Sequence, residues 1–379
     1  MRKFAPSLLS SRHVTSVSNL LAHWFPMPRI LHPRSVGVDI SDASIKWIAL
    51  EAFGEKKRVI FWGEELLPEG IVIGGIVQNF PELVTALEGI RKKLGGIVSV
   101  HVALPEEIGY VFSMHVPVNS SRESALHMIE FELEARVPIP VADAVYDFDL
   151  ITQHDDDSGD EIGVTVFPRK PVERYVEAFQ AAGFYPLSLE IEARSIARAV
   201  SSGSDNEPIM LLVDFGQRRT GFAVLKHGIP IFTSTVGVGG VPIMKSLTEK
   251  TPEALSDASE LKAKESVHTA VGDKESPAAD VLLGSESALA DEVVRHYQYW
   301  DTRRNERGER VTPIECVLLV GGSANLKGLP SYIAARVQAS AVRPNVWRHV
   351  CSFDTYIPPI DRRKSLQYAT AIGLALRGV

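Results

Sequence analysis

Two Asp-led segments, each closing an apolar run, lie far apart in this chain. They are Val36-Gly37-Val38-Asp39-Ile40-Ser41-Asp42-Ala43-Ser44-Ile45-Lys46 and Leu211-Leu212-Val213-Asp214-Phe215-Gly216-Gln217-Arg218-Arg219-Thr220. A strand that delivers an aspartate into a tight turn of small and hydroxyl residues can hold a phosphate and its metal ion. Backbone N–H groups of the turn face the phosphate oxygens, and the carboxylate holds the hydrated cation. Meeting the arrangement twice implies two similar halves closing on one ligand. The length of 379 residues fits that reading, being too long for one compact core and suited to two lobes.

Composition narrows the function classes. A 45% apolar and 23% charged chain is ordinary for a globular protein, and a net charge of −7 argues against a general nucleic-acid binder. Cys316 and Cys351 have no CxxC spacing and no nearby His pair, so neither a metal cluster nor a disulfide framework is expected, and a reducing cytoplasm is the default. His101, His115, His127 and His154 are scattered without ligand spacing. No stretch reaches the roughly 18 to 20 apolar residues that span a bilayer, and Arg12 and His13 interrupt any secretory signal core.

Along the chain, residues 1–33 form a basic tail with Arg2, Lys3, Arg12 and Arg29, in which Val14, Val17, Leu21 and Trp24 recur at helical spacing. It reads in three ways: an amphipathic anchor for anionic lipid, a disordered tail, or untranslated text if synthesis begins at Met27. A first lobe core is expected over 34–110 and 187–205, as strands around the first Asp turn, a helix from Pro81 to Leu94, and a buried strand ended by Pro105. An inserted subdomain is expected over 111–186. It opens with a strand, then a helix capped by Ser120 and Glu123 and broken by Pro138, then two strands flanking the acidic turn Asp155 to Asp160. That turn lacks the EF-hand spacing and reads as a solvated tip rather than a calcium loop. The second lobe core is expected over 206–245 and 310–379, with a helical subdomain over 246–309.

In this order the segments resemble the PilM family of type IV pilus assembly, related to the cell-division protein FtsA. The resemblance rests on Gly37 through Lys46, the helix text Ile129-Glu130-Phe131-Glu132-Leu133-Glu134-Ala135-Arg136-Val137-Pro138, and Leu189 to Ala193. It rests also on Val213 to Gly216, Leu319 to Ala324, and Ala371 to Leu376. The matches run from about Arg34 to the end. They imply an α/β actin-like ATPase (ribonuclease H-like) fold with two lobes and a small α+β insertion in the first.

The same resemblance implies ATP and Mg2+ in the cleft. Asp39, Ser41, Ser44 and Lys46 would form the first phosphate loop, and Asp214, Gly216, Arg218 and Thr220 the second, with Asp39 and Asp214 on the metal. Gly321, Gly322 and Ser323 would meet the adenosine, and Glu192 would orient a water or the metal shell. It also implies a partner, the cytoplasmic N-terminal peptide of a PilN-like membrane protein, docked beside the insertion helix at the cytoplasmic face of the inner membrane. Leu126, Ile129 and Leu133 share one helix face, which leaves Phe131 as the exposed contact. Other platform components and self-association are further expected partners.

The chain departs from the pattern at Ser41, where relatives usually carry Gly, and at Gln217-Arg218-Arg219, where small residues normally let amides reach a phosphate. An arginine there either clamps the anion or plugs the cavity, and at most slow ATP turnover is expected. Two alternatives use the same superfold. A small-molecule kinase needs a substrate-facing Asp that the sequence does not offer, and an FtsA-like filament protein would end in an amphipathic membrane helix.

Overall fold

The computed structural model describes residues 34–53, 56–153, 159–240, 277–304, 308, 310–326 and 328–379. The basic tail, the tip of the acidic turn and most of the expected helical subdomain lie outside them.

Strand β1 (Ser35–Ile40) is buried along its whole length. It turns at Ser41 into β2 (Ser44–Phe53), which pairs antiparallel with β3 (Lys56–Leu66). A two-rung hairpin, β4 (Val72–Ile73) and β5 (Ile76–Val77), precedes helix α1 (Phe80–Lys93). Asn79 caps α1 by accepting the Glu82 N–H, proline fills its first turn, and Leu83, Leu87 and Ile90 form its buried stripe. β6 (Ser99–Leu104) then runs parallel to β1.

The insertion starts at β7 (Tyr110–Val116) and continues through α2 (Arg122–Arg136), β8 (Ala144–Thr152), β9 (Asp160–Pro168) and α3 (Arg169–Ala181). Its three strands pair in the order β7-β9-β8. The α2 cap differs from expectation by one residue: Ser121 accepts the Ser124 N–H at 3.1 Å, while Ser120 donates its hydroxyl to the Pro117 carbonyl. The Pro117 turn claims the first serine, so the second is free to cap. Ile129 and Leu133 are buried in a core of the insertion's own with Phe112, Ile162, Val164 and Val166.

β10 (Tyr185–Ile191) returns to the first sheet beside β6 and feeds α4 (Glu192–Val200). The second lobe repeats the plan with β11 (Met210–Phe215), β12 (Thr220–Lys226) and β13 (Ile229–Val236). α5 (Pro277–Thr302), β14 (Cys316–Val320), α6 (Leu329–Val337), β15 (Ser340–Val342) and α7 (Ala369–Ala375) follow. The sheets read β10-β6-β1-β2-β3 and β13-β12-β11-β14-β15. Each has a parallel half and an antiparallel half meeting at the strand that ends in an aspartate.

Helices α4 and α7 join the lobes. A Cβ on Gly373 would lie 1.7 Å from the Ser195 carbonyl oxygen, and one on Gly37 would lie 2.3 Å from that of Ala371, so the backbones touch where only glycine fits. Ile48 and Leu50 of the first sheet share one core with α4, α7 and the second sheet. The two lobes are therefore packed as one body over a common floor.

Candidate functional site

The repeat brings β1 and β11 to that floor, each ending in a carboxylate. Asp39 is 8% exposed, and its Oδ1 has no hydrogen-bond partner among the described residues. Burial pushes its carboxyl up to about 6, against the pull of Lys46 and with a smaller push from Glu64. Lys46 stands opposite Asp39 in the β1–β2 register, donates to Ser44 Oγ at 2.7 Å and lies 3.4 Å from Glu64. Asp214 is pushed up to about 7, first by burial and then by the charge of Asp39, with Lys46 opposing.

Opposite Asp214 the register places Gly221 rather than a lysine. A Cβ there would lie 2.7 Å from Glu106 Oε2, so the glycine makes room for a carboxylate. Glu106, which follows β6, accepts the Ala193 N–H at 2.8 Å and is held well above the usual carboxylate range by burial, Asp214 and Glu107. Glu192 leads α4 and is raised likewise, by burial and then by Glu107, Asp39, Glu106 and Asp214. Burial raises Glu107 too. Five carboxylates thus converge, with Lys46 opposing Asp39 and Asp214 and Arg219 paired with Glu107.

The two turns above this floor differ. In the first, Ser41 donates its backbone N–H to the Ser44 carbonyl and its hydroxyl to the same oxygen, and accepts the Ser44 N–H at 3.2 Å. The hydroxyl closes its own turn. In the second, Gly216 donates to the Arg219 carbonyl at 3.1 Å and its carbonyl receives the Gly240 N–H, while the N–H groups of Gln217 and Arg218 meet no protein acceptor among the described residues. Turn amides without a protein acceptor are groups that an anion can engage.

Arg219, the last residue of this loop, crosses to the first lobe. Its guanidinium pairs with Asp42 of the first turn and with Glu107 at 2.8 Å. Arg218 instead reaches the exposed Glu69 at 3.2 Å.

Gly321 follows β14 at φ 85°, and a Cβ there would lie 2.4 Å from Asp214 Oδ1. It is a position for glycine on both counts. Gly322 faces Gln367, and Ser323 is buried.

Asp39, Lys46, Asp214, Gly216, Glu192 and Gly321 therefore gather at one cleft. Thr220 belongs to its wall, but its hydroxyl is turned onto the Val238 carbonyl at 2.6 Å. Phe131 lies on α2 in the insertion, 85% exposed, with Leu126, Ile129 and Leu133 on the inner face. Sequence reasoning missed Glu106, Glu107 and Asp42. Glu106 and Glu107 follow β6 and Pro105, at the position that in the second lobe carries Gly322-Ser323, and the repeat itself was the signal for them. Asp42 stood in plain view, inside the first Asp turn.

The floor suits a cation: Asp39 is buried, orphaned on one oxygen, and crowded by acids that a positive charge would relieve. No three of these groups form a ready ligand set among the described residues. A magnesium ion asks for less, since it binds through one or two carboxylates plus ligand phosphates and water.

Comparison with known proteins follows the same lines. The family model described as type IV pilus assembly protein PilM matches residues 37–379. Among solved structures, a chain of the PilM-PilN type IV pilus biogenesis complex superposes with a TM-score of 0.74 at 18% identity, covering 92% of this chain and 99% of that one. MreB5 of Spiroplasma citri bound to ADP gives a TM-score of 0.50 at 12% identity, covering 90% and 95%. At these identities the likeness concerns fold, and the fold is that of the actin-like ATPases.

Proposed function

The chain belongs to the PilM family of type IV pilus assembly proteins, and from that premise we propose that it is a nucleotide-binding scaffold of the pilus inner-membrane assembly platform. It works at the cytoplasmic face, docking the N-terminal peptide of a PilN-like membrane protein. The carrying observation is the cleft floor, where Asp39 with an unpartnered buried oxygen and Asp214 crowd together under a loop with open amides. ATP with Mg2+ supplies what this floor lacks, a cation for the carboxylates and phosphate oxygens for the amides.

Asp39 and Asp214 would hold the hydrated ion. Lys46, Gly216 and the N–H groups of Gln217 and Arg218 would meet the phosphates, and the turn at Gly321-Gly322, packed on Asp214 and Gln367, would border the adenosine. Ser44 acts through Lys46, whose ammonium it accepts. Ser41 closes its own turn, Thr220 ties the start of β12 to the Val238 carbonyl beyond β13, and Ser323 is packed beneath the glycine turn.

We infer binding with at most slow turnover: Glu192, which would orient a water or the metal shell, is buried among four other acids that hold its carboxyl above the usual range. Nucleotide then serves to set the relation of the lobes. The partner surface is the insertion, where Phe131 stands in solvent on a helix whose other large apolar residues are packed. No helix among the described residues is long and apolar enough to cross a membrane, and membrane attachment is assigned to the partner.

The test is calorimetric titration of MgATP into the unaltered chain, Asp39→Ala and Asp214→Ala. Binding should be lost or weakened by at least about 10-fold in both variants, roughly 1.4 kcal/mol. Equal affinity in all three removes the metal role. In a second arm, Phe131→Ala should weaken capture of a PilN-like N-terminal peptide while leaving MgATP binding unchanged.

A further inference from the structure

Arg219 occupies a place that neither the fold nor the family premise explains. It belongs to the second lobe's loop, yet both ends of its guanidinium are held by the first lobe, by Asp42 and by Glu107. Its side chain is 24% exposed, against 10% for Asp42 and 20% for Glu107, so the bridge is largely shielded from solvent.

Each of its partners leads elsewhere. Asp42 also accepts the N–H groups of Gly74 and Gly75, at 3.3 and 3.5 Å, and so fastens the β4–β5 hairpin. The carbonyl of Gly75 in turn accepts the Tyr175 hydroxyl of α3 at 3.0 Å. Glu107 sits in the single 3-10 turn, Glu106–Ile108, that leads directly into β7 and the insertion. One guanidinium therefore ties together the first turn, the hairpin and the root of the inserted subdomain.

Resting on the nucleotide reading, we infer that Arg219 is a phosphate-exchange residue. Without ligand it bridges Asp42 and Glu107; when the phosphate chain of a nucleotide enters beside the open amides of Gln217 and Arg218, it trades Glu107 for a phosphate oxygen. Phosphate is the stronger partner for a planar guanidinium because it carries more charge and matches the fork of donors. The carboxylate released is the one at the insertion's root, so occupancy of the cleft is passed to the subdomain that docks the partner. The coupling has a physical carrier, a guanidinium with two alternative sets of acceptors.

The exchange has a signature that a plain clamp or a plain plug lacks. MgATP is titrated into the full chain, Arg219→Ala, Glu107→Gln and the double variant. Arg219→Ala should weaken binding by about 10-fold or more, whereas Glu107→Gln should tighten it by roughly 3-fold, the arginine having lost its competing acceptor. In the double variant the gain from Glu107→Gln should vanish. A gain that persists there marks simple charge repulsion and overturns the exchange, as does an Arg219→Ala variant with unaltered affinity.

A ligand-free measurement stands beside it. Hydrogen exchange of the amides in Val72–Val77 and Tyr110–Val116 should rise in Arg219→Ala; unchanged protection overturns the bridge itself. If the unaltered chain binds no MgATP, the nucleotide reading falls and the phosphate step with it. Binding with a flat mutant cycle sinks only the exchange.

Discussion

The two lobes repeat one another strand for strand, and the instructive difference lies in what each puts around its aspartate. Asp39 has Lys46 across the ladder; Asp214 has Gly221, with the Glu106 carboxylate in the space the glycine leaves. The strand beyond ends in Pro105-Glu106 in the first lobe and in Gly321-Gly322 in the second. One lobe thus supplies charge and the other supplies room. A second difference runs through the turns: the first is closed on the Ser41 hydroxyl, and the second sends Arg219 across to the other lobe. A ligand with an anionic chain and a bulky body fits between unequal halves better than between identical ones, because its two ends need different surroundings.

Filling the room should do the most damage. Gly321→Val places a β-branched residue at φ 85° with its Cβ aimed at Asp214 Oδ1 and the Phe215 carbonyl. Strain and collision together should cost more than about 3 kcal/mol, read as a lowered urea midpoint. MgATP binding should be lost in whatever fraction remains folded. A loss within about 1 kcal/mol would mean that the φ and close contacts of Gly321 do not constrain the turn, and the contrast with Pro105 would lose its meaning.

Removing excess charge is the next largest effect, and its sign is set by the direction of the shifts. Asp214 is raised from 3.8 to about 7 and Asp39 from 3.8 to about 6. The folded protein thus keeps protons that the unfolded chain releases between about pH 4 and 7, and stability falls as pH rises through that window. At about 1.4 kcal/mol per unit, Asp214 alone accounts for roughly 4 kcal/mol of lost stability at pH 8. Asp214→Asn should therefore be more stable than the unaltered protein at pH 8, by a few kcal/mol, and nearly equal to it at pH 4. Denaturant melts at both values check this. Bound magnesium should flatten the same profile by giving the carboxylates a cation. A protein whose stability rises from pH 5 to 8 would contradict the crowded floor.

How much of this contrast the sequence disclosed depended on distance along the chain. Asp39 and Asp214 were legible because each sits in an apolar run followed by small residues, a local pattern. Lys46 was legible as part of the same run. The helix α2 and the isolation of Phe131 followed from spacing, since Ile129 and Leu133 lie four apart and take the inner face. Glu106 and Glu107 carried no local mark: an acidic pair after a proline reads as a solvated turn, and only the return of β10 beside β6 and the docking of α4 bury it. Arg219 was visible as an oddity, but its partners lie 177 and 112 positions away by their numbers (219 − 42 and 219 − 107). No periodicity reaches so far. The cap of α2 failed for a nearer reason: two adjacent serines competed, and the preceding proline turn decided between them.

The smallest effect gives the sharpest reading of the first turn. The Ser41 hydroxyl serves the loop from within, donating to the Ser44 carbonyl and accepting the Ser44 N–H. Ser41→Gly should remove about 1 kcal/mol of stability through those bonds. Affinity for MgATP should stay within about 2-fold, because the turn keeps its backbone bond from the Ser41 N–H to the Ser44 carbonyl. A serine that instead turns to the phosphate would betray itself by a loss of affinity of about 10-fold with little change in stability. That outcome would make the first turn a ligand-binding loop like the second, and the asymmetry between the lobes would then rest on Lys46, Glu106 and Arg219 alone.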